Sequence, residues 1–232
     1  MIKAVFFDFY QTLVGYDPPR EEIEATILKG NGISIKPELL QLPFSIADAF
    51  FHQQSARRPF NKMSPEEQKK LFVEYQTRLL SEAGIKPTME LIKDIIGRWN
   101  SYGFKLVLFD DALPAVKYLN NDGLTLGLIS NIERDITPLL EELGLSELLE
   151  VVTTSLETGY TKPNPEIFKA ALKKAGVKPE ESVFVGDQYG VDVLGSKSLG
   201  MKGILLDRNN SFTDITDCPR INNLLQLKDH LD

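Results

Sequence analysis

Three apolar runs in this 232-residue sequence end in residues able to do chemistry. Ala4-Val5-Phe6-Phe7 leads into Asp8, with Tyr10 and Thr12 shortly after. Leu124 to Ile129 leads into Ser130-Asn131, and Ser182-Val183-Phe184-Val185 leads into Gly186-Asp187, with Asp192 further on. A lysine, Lys162, stands in Gly159-Tyr160-Thr161-Lys162-Pro163. A carboxylate is ionised at pH 7 without a neighbouring base, which makes Asp8 a candidate nucleophile. Asp8 and Asp187 are also the hard oxygen donors that Mg²⁺ prefers. Lys162 is a cation able to offset the repulsion between such carboxylates and an anionic substrate. Other roles fit the same residue types. Ser130 with Glu133 reads equally as a helix capping box, S-x-x-E. Lys162 reads also as a loop lysine, and Asp192 as a charge at a helix terminus.

Taken in order, these groups resemble the four motifs of the haloacid dehalogenase-like (HAD) hydrolase superfamily, subfamily I with a C1 helical cap. Asp8, Thr12 and Leu13 match the first motif, D-x-D-x-T followed by an apolar residue, and Ser130 the second. Lys162-Pro163 matches the third, and Gly186-Asp187 with Asp192 the acidic fourth, GDxxxxD. The resemblance implies a Mg²⁺-dependent hydrolase of small phosphate monoesters that works through an aspartyl-phosphate. Asp8, Tyr10 and Lys162 are then the catalytic residues, and Thr12, Ser130, Asn131 and Lys162 hold the substrate. The metal set is Asp8, the Tyr10 backbone carbonyl and Asp187, with Asp192 behind them bonding a water on the metal or Lys162.

Tyr10 departs from the pattern, because the phosphatases carry a second Asp there that protonates the leaving alcohol and later deprotonates water. Such acid–base groups contribute roughly 10²–10⁴-fold. A phenol ordinarily ionises near pH 10, so it donates a proton at neutral pH but is a poor base. The expectation is a phosphoenzyme that forms readily and hydrolyses slowly. A tyrosine at this place also resembles the metal-independent 2-haloacid dehalogenases of the superfamily, which use an arginine early in the cap, where Arg20 stands. Their fourth motif lacks the acidic pair found here, so that chemistry is the alternative. A second alternative is a low-turnover phosphate- or metal-binding homologue acting through partners.

Strands must deliver these groups to one sheet edge, since in open α/β sheets ligands bind outside the carboxyl ends of the strands. From residue 103 onward strand-like and helix-like segments alternate, as in βα units with parallel strands. Helices are expected at 112–119, 135–143, 165–175 and 191–199, and strands at 124–129, 151–154, 182–185 and 203–207. Between Leu13 and Tyr102 the apolar residues instead recur at helical spacing. Ser64-Pro65-Glu66-Glu67 predicts the start of a helix over 65–83. Leu91, Ile92, Ile95, Ile96 and Trp99 share one face of another over 88–99. Leu39 to Phe51 is a further apolar stretch in which Pro43 is expected to break or bend a helix. The fold class is therefore α/β, a HAD-like Rossmannoid parallel-sheet core (1–14 and 103–232) with an inserted all-helical cap (15–102). His52 and Trp99 read as packing residues of that cap. Its apolar residues Phe44, Phe50 and Phe51 are a candidate interface for a homodimer, the alternative being a monomer.

Composition narrows the partners. A formal charge of −7 argues against non-specific nucleic-acid binding. One cysteine, Cys218, permits no internal disulfide and fits a reducing cytoplasm. Met1-Ile2-Lys3 enters the first strand directly, so no signal peptide is expected. No run approaches the roughly 20 apolar residues that span a membrane. The expected partner is a small phosphorylated molecule, with no nucleic acid and no membrane.

Overall fold

Ala4–Phe7 is apolar and buried at every position, as befits a strand covered on both faces. The computed structural model describes residues 1–231, so Asp232, the end of the expected core span, lies outside them. Along the chain come β1 (Ala4–Phe7), β2 (Val14–Asp17), α1 (Arg20–Gly30), α2 (Gln41–Arg57), α3 (Pro65–Glu82) and α4 (Met89–Ser101). Then follow β3 (Lys105–Leu108), α5 (Ala112–Asn121), β4 (Thr125–Ser130), α6 (Thr137–Glu142), β5 (Val151–Thr154), α7 (Ser155–Thr158) and α8 (Pro165–Ala175). The last elements are β6 (Ser182–Gly186), a π-helical turn (Tyr189–Val193), α9 (Leu194–Lys197), β7 (Lys202–Leu206), β8 (Arg220–Ile221) and a 3₁₀ segment (Leu224–His230).

The fold is a mixed α/β architecture whose six-stranded sheet runs β5-β4-β1-β6-β7-β8 with every pair parallel. Phe7 lies opposite Leu128 on one side and Val185 on the other. The chain thus fills the sheet outward from β1 in both directions, and the strand order reverses at β1. In open α/β sheets ligands bind at such a reversal, outside the carboxyl ends of the strands, and Asp8 stands at the carboxyl end of β1. Phe6, Phe168 and Phe184 are buried in the core beneath it.

The chain divides into two units, Met1–Gly15 with Val107 onward, and Tyr16–Leu106. These boundaries fall one and four residues beyond the expected 14/15 and 102/103. The second unit is built from α1 to α4 around Ile23, Ile27, Leu79, Leu80 and Ile95. Its α3 begins as expected, with Ser64 and Glu67 exchanging both bonds of a capping box and Pro65 in the first turn. Pro43 does not break α2, which runs unbroken over Gln41–Arg57. It sits in the first turn, where a helical N–H has no partner to lose. Of the apolar residues singled out there, Phe44 is buried, with the Arg20 guanidinium carbon 4.6 Å from its ring centroid, while Phe50 and Phe51 are half-buried. Arg78 covers Phe50 in the same way, and Phe51 stacks against Phe60 and Phe72. Inside the unit Glu24 is fully buried and accepts hydrogen bonds from Gln76 Nε2 and Trp99 Nε1. Among the described residues no helix is long and apolar enough to cross a membrane.

Candidate active site

Asp8 leaves β1 with its backbone N–H still bonded to the Val185 carbonyl (2.8 Å), so the sheet itself fixes where its carboxylate begins. Lys162 comes from the loop before α8 and reaches the same point. Its Nζ donates to Asp8 Oδ1 (2.6 Å) and to Asp192 Oδ1 (2.7 Å), and its side chain is 2% exposed. Phe184 lies under this ammonium, 4.9 Å from ring centroid to Nζ. Asn131, directly after β4, clamps the lysine from behind: Lys162 N–H donates to Asn131 Oδ1 (2.6 Å) and Asn131 Nδ2 donates to the Lys162 carbonyl (3.1 Å).

Asp192 is delivered by the π-helical turn after β6, a wide turn of a kind common at functional sites. Its Oδ2 accepts from the Gln188 backbone N–H (3.0 Å). One oxygen each of Asp8, Asp187 and Asp192 lies within 4.8 Å of the others. Three hard carboxylate donors so close, with one ammonium between two of them, suit a divalent cation such as Mg²⁺. Burial raises the Asp8 carboxyl above its ordinary range; Lys162 pulls it back and Asp192 pushes it further up. Burial alone would lower Lys162, but Asp192 and Asp8 outweigh it and hold the ammonium more firmly protonated than usual.

Asp8, Lys162, Asp187 and Asp192 therefore come together, with Asn131 holding the Lys162 backbone. Ser130 is the last residue of β4 and is buried. It does not cap a helix, because the chain stays irregular until α6, at Thr137. Thr12 is fully buried, and its Oγ1 has no hydrogen-bond partner among the described residues. Tyr10 is half-buried beside Phe9, and its hydroxyl accepts from Arg134 Nη2 (3.4 Å). The helix expected over 191–199 is instead the π-helical turn followed by the short α9.

Arg134, Asp111 and Arg208 were not legible as site neighbours. The polar residue directly past the buried strand β7 is Asp207, and Arg208 follows it one position on.

A family model described as haloacid dehalogenase-like hydrolase matches residues 45–206, more than half of the chain. The chain belongs to that family. This hydrolase is 29% identical over 208 residues to human haloacid dehalogenase-like hydrolase domain-containing protein 3, covering 88% of this chain and 82% of that protein. It is 28% identical over 247 aligned positions to the glyceraldehyde 3-phosphate phosphatase of Methanothermobacter thermautotrophicus, covering 100% of both. Among solved structures it resembles a 2-haloacid dehalogenase from Pseudomonas syringae, with a TM-score of 0.56 at 24% identity, covering 100% of this chain and 98% of that one. At that identity the likeness speaks for the fold alone. With phosphatases among its relatives, this hydrolase is an enzyme of the phosphatase/hydrolase type.

Proposed function

We propose that this hydrolase cleaves small phosphate monoesters by way of an aspartyl-phosphate on Asp8, with Mg²⁺ as its metal. The observation that carries this reading is the bridge of Lys162 Nζ between Asp8 and Asp192, beside Asp187. Asp8, Asp187 and the Tyr10 carbonyl would hold the ion, with Asp192 behind them. When bound, Mg²⁺ offsets the negative charge shared by Asp8 and the phosphoryl oxygens.

The chain's own residues supply the rest. Lys162 favours the ionised form of Asp8 and holds its carboxylate in place, and it offsets part of the repulsion between the carboxylates and the incoming phosphate. A carboxylate oxygen of Asp8 bonds to phosphorus as the ester P–O bond breaks, and the leaving oxygen takes the Tyr10 hydroxyl proton, which solvent then restores. Water next attacks phosphorus, the bond from Asp8 to phosphorus breaks, and inorganic phosphate departs. The water's proton leaves to solvent, because a protonated phenol cannot accept it. That second half is the slow one.

Tyr10 also favours dehalogenase chemistry. Against it stand the acidic fourth motif and the engagement of Arg20, whose guanidinium is held by Asp48 (2.6 Å) and Glu21 (3.2 Å) and is thereby already neutralised. Hydrolysis of p-nitrophenyl phosphate separates the readings. Release that requires Mg²⁺, stops with EDTA and disappears in Asp8→Asn is expected. Metal-independent halide release from 2-chloropropionate, with no phosphate release, would hand the assignment to the dehalogenases.

A further inference from the structure

Just past β7 the guanidinium of Arg208 meets three parts of the core unit. Nη1 and Nη2 donate to Asp111 Oδ2 and Oδ1 (2.8 and 2.9 Å), a bidentate pair at the start of α5. Nη2 donates as well to the Thr12 carbonyl (2.8 Å), and the guanidinium carbon lies 4.0 Å from the Phe109 ring centroid. Asp111 Oδ2 also accepts the Leu224 N–H (2.8 Å), which draws in the C-terminal 3₁₀ segment.

The Thr12 carbonyl belongs to the turn that carries Asp8 and Tyr10. Within that turn the Leu13 and Val14 N–H groups donate to the Phe9 carbonyl (2.9 and 3.0 Å), and the Gln11 N–H donates to the Val14 carbonyl (2.7 Å). Gln11 has φ 60°, the left-handed region that non-glycine residues avoid. Such a conformation persists only where its surroundings over-determine it. The turn's own hydrogen bonds hold it from inside, and Arg208 holds it from outside.

We infer that Arg208, anchored by Asp111, is a positioning residue for the reaction: by gripping the Thr12 carbonyl it fixes the turn that presents Asp8 and the Tyr10 carbonyl. The inference rests on the phosphatase reading for its kinetic consequence and on the turn's geometry for its structural one. A misplacement of about 1 Å can cost roughly 10²-fold in rate. Lysine cannot replace this arginine, because only the planar fork serves a carboxylate bidentately and a carbonyl at once.

The test compares wild type, Arg208→Ala and Arg208→Lys by p-nitrophenyl phosphate kinetics in saturating Mg²⁺, by melting temperature and by hydrogen exchange. In Arg208→Ala, kcat/KM should fall about 10- to 100-fold and the burst of nitrophenolate should slow in step, since both report the attack by Asp8. Exchange should quicken in the peptide spanning 8–14 and not in β4 or β6, and added ethylguanidinium should restore part of kcat/KM. Arg208→Lys, which keeps a charge beside Asp111, should show the same local exchange and a reduced kcat/KM, and it serves if the alanine variant fails to fold. A kcat/KM within twofold of wild type in a folded variant overturns the inference. So does exchange that rises evenly across the sheet, the mark of a purely structural staple. If wild type itself shows no Asp8-dependent turnover, the phosphatase reading fails, and the local exchange pattern alone decides the positioning role.

Discussion

Gly186 and Asp192 approach so closely that a Cβ on residue 186 would lie 2.2 Å from Asp192 Oδ2 and 2.4 Å from its Cγ. The glycine that ends β6 is thus the space into which the Asp192 carboxylate folds back. From there Asp192 serves Lys162 with one oxygen and the Gln188 N–H with the other. The G and the second D of the fourth motif are two halves of one contact. It lets a buried lysine keep two anionic partners.

Gly186→Ala should therefore displace Asp192 rather than merely crowd the strand. Overpacking of this kind costs about 1–3 kcal/mol, and we expect that loss in urea unfolding. With Lys162 stripped of one partner, turnover of p-nitrophenyl phosphate should drop at least about 10-fold. A Gly186→Ala protein of unchanged stability and rate would show that the Asp192 carboxylate has room to move and that its place is unimportant.

Tyr10 sets the second prediction. Rapid mixing of wild type with p-nitrophenyl phosphate should give a burst of nitrophenolate equal to the enzyme present, followed by a slow steady state. Tyr10→Asp supplies a base for the attacking water, and it should abolish the burst and raise the steady rate by roughly 10²-fold. Tyr10→Phe should barely affect the burst with this substrate, whose leaving phenolate needs no proton, but should slow an alkyl phosphate. Linear wild-type turnover from time zero would count against a rate-limiting second half.

The strand ends were readable because each chemical residue follows an apolar run too short and too β-branched or aromatic to be a helix. Asp8, Asp187 and Lys162, chosen from those runs and from the family resemblance, lie within one cluster. What escaped the sequence is decided by tertiary contact. Val14–Asp17 holds a glycine and an aspartate and shows no strand pattern, yet it pairs with Lys105–Leu108. Arg220–Ile221 is two residues long and takes its place beside β7, where Arg220 Nη1 donates to Asp207 Oδ2 (2.8 Å). Pro43 looks like a breaker until its position in the first turn is known. The π-helical turn at Tyr189–Val193 reads as ordinary helix, because a helical periodicity does not register one widened turn. Arg208 finds Thr12 across almost the whole chain, and no local pattern announces a partner so distant in sequence.

Glu24 gives the last prediction, on stability rather than rate. Burial between α1, α3 and α4 raises its carboxyl from 4.5 to about 7, against the hydrogen bonds from Trp99 and Gln76 that favour ionisation. In the unfolded chain the same group ionises near 4.5. Between these values unfolding releases a proton, so this contribution is fully present below about pH 4.5 and is lost as pH rises through about 7. At about 1.4 kcal/mol for each tenfold in proton affinity, the loss is roughly 3 kcal/mol. Glu24→Gln removes the titration. A flip of the Gln76 amide lets the new side chain accept from Trp99 and donate to Gln76, so the packing survives. Chemical unfolding of both proteins from pH 5 to 8 should show wild type losing stability relative to Glu24→Gln as pH rises, with the variant the more stable at pH 8. Parallel curves across that range would mean that Glu24 ionises in the fold as it does in water, and that water reaches it between the helices.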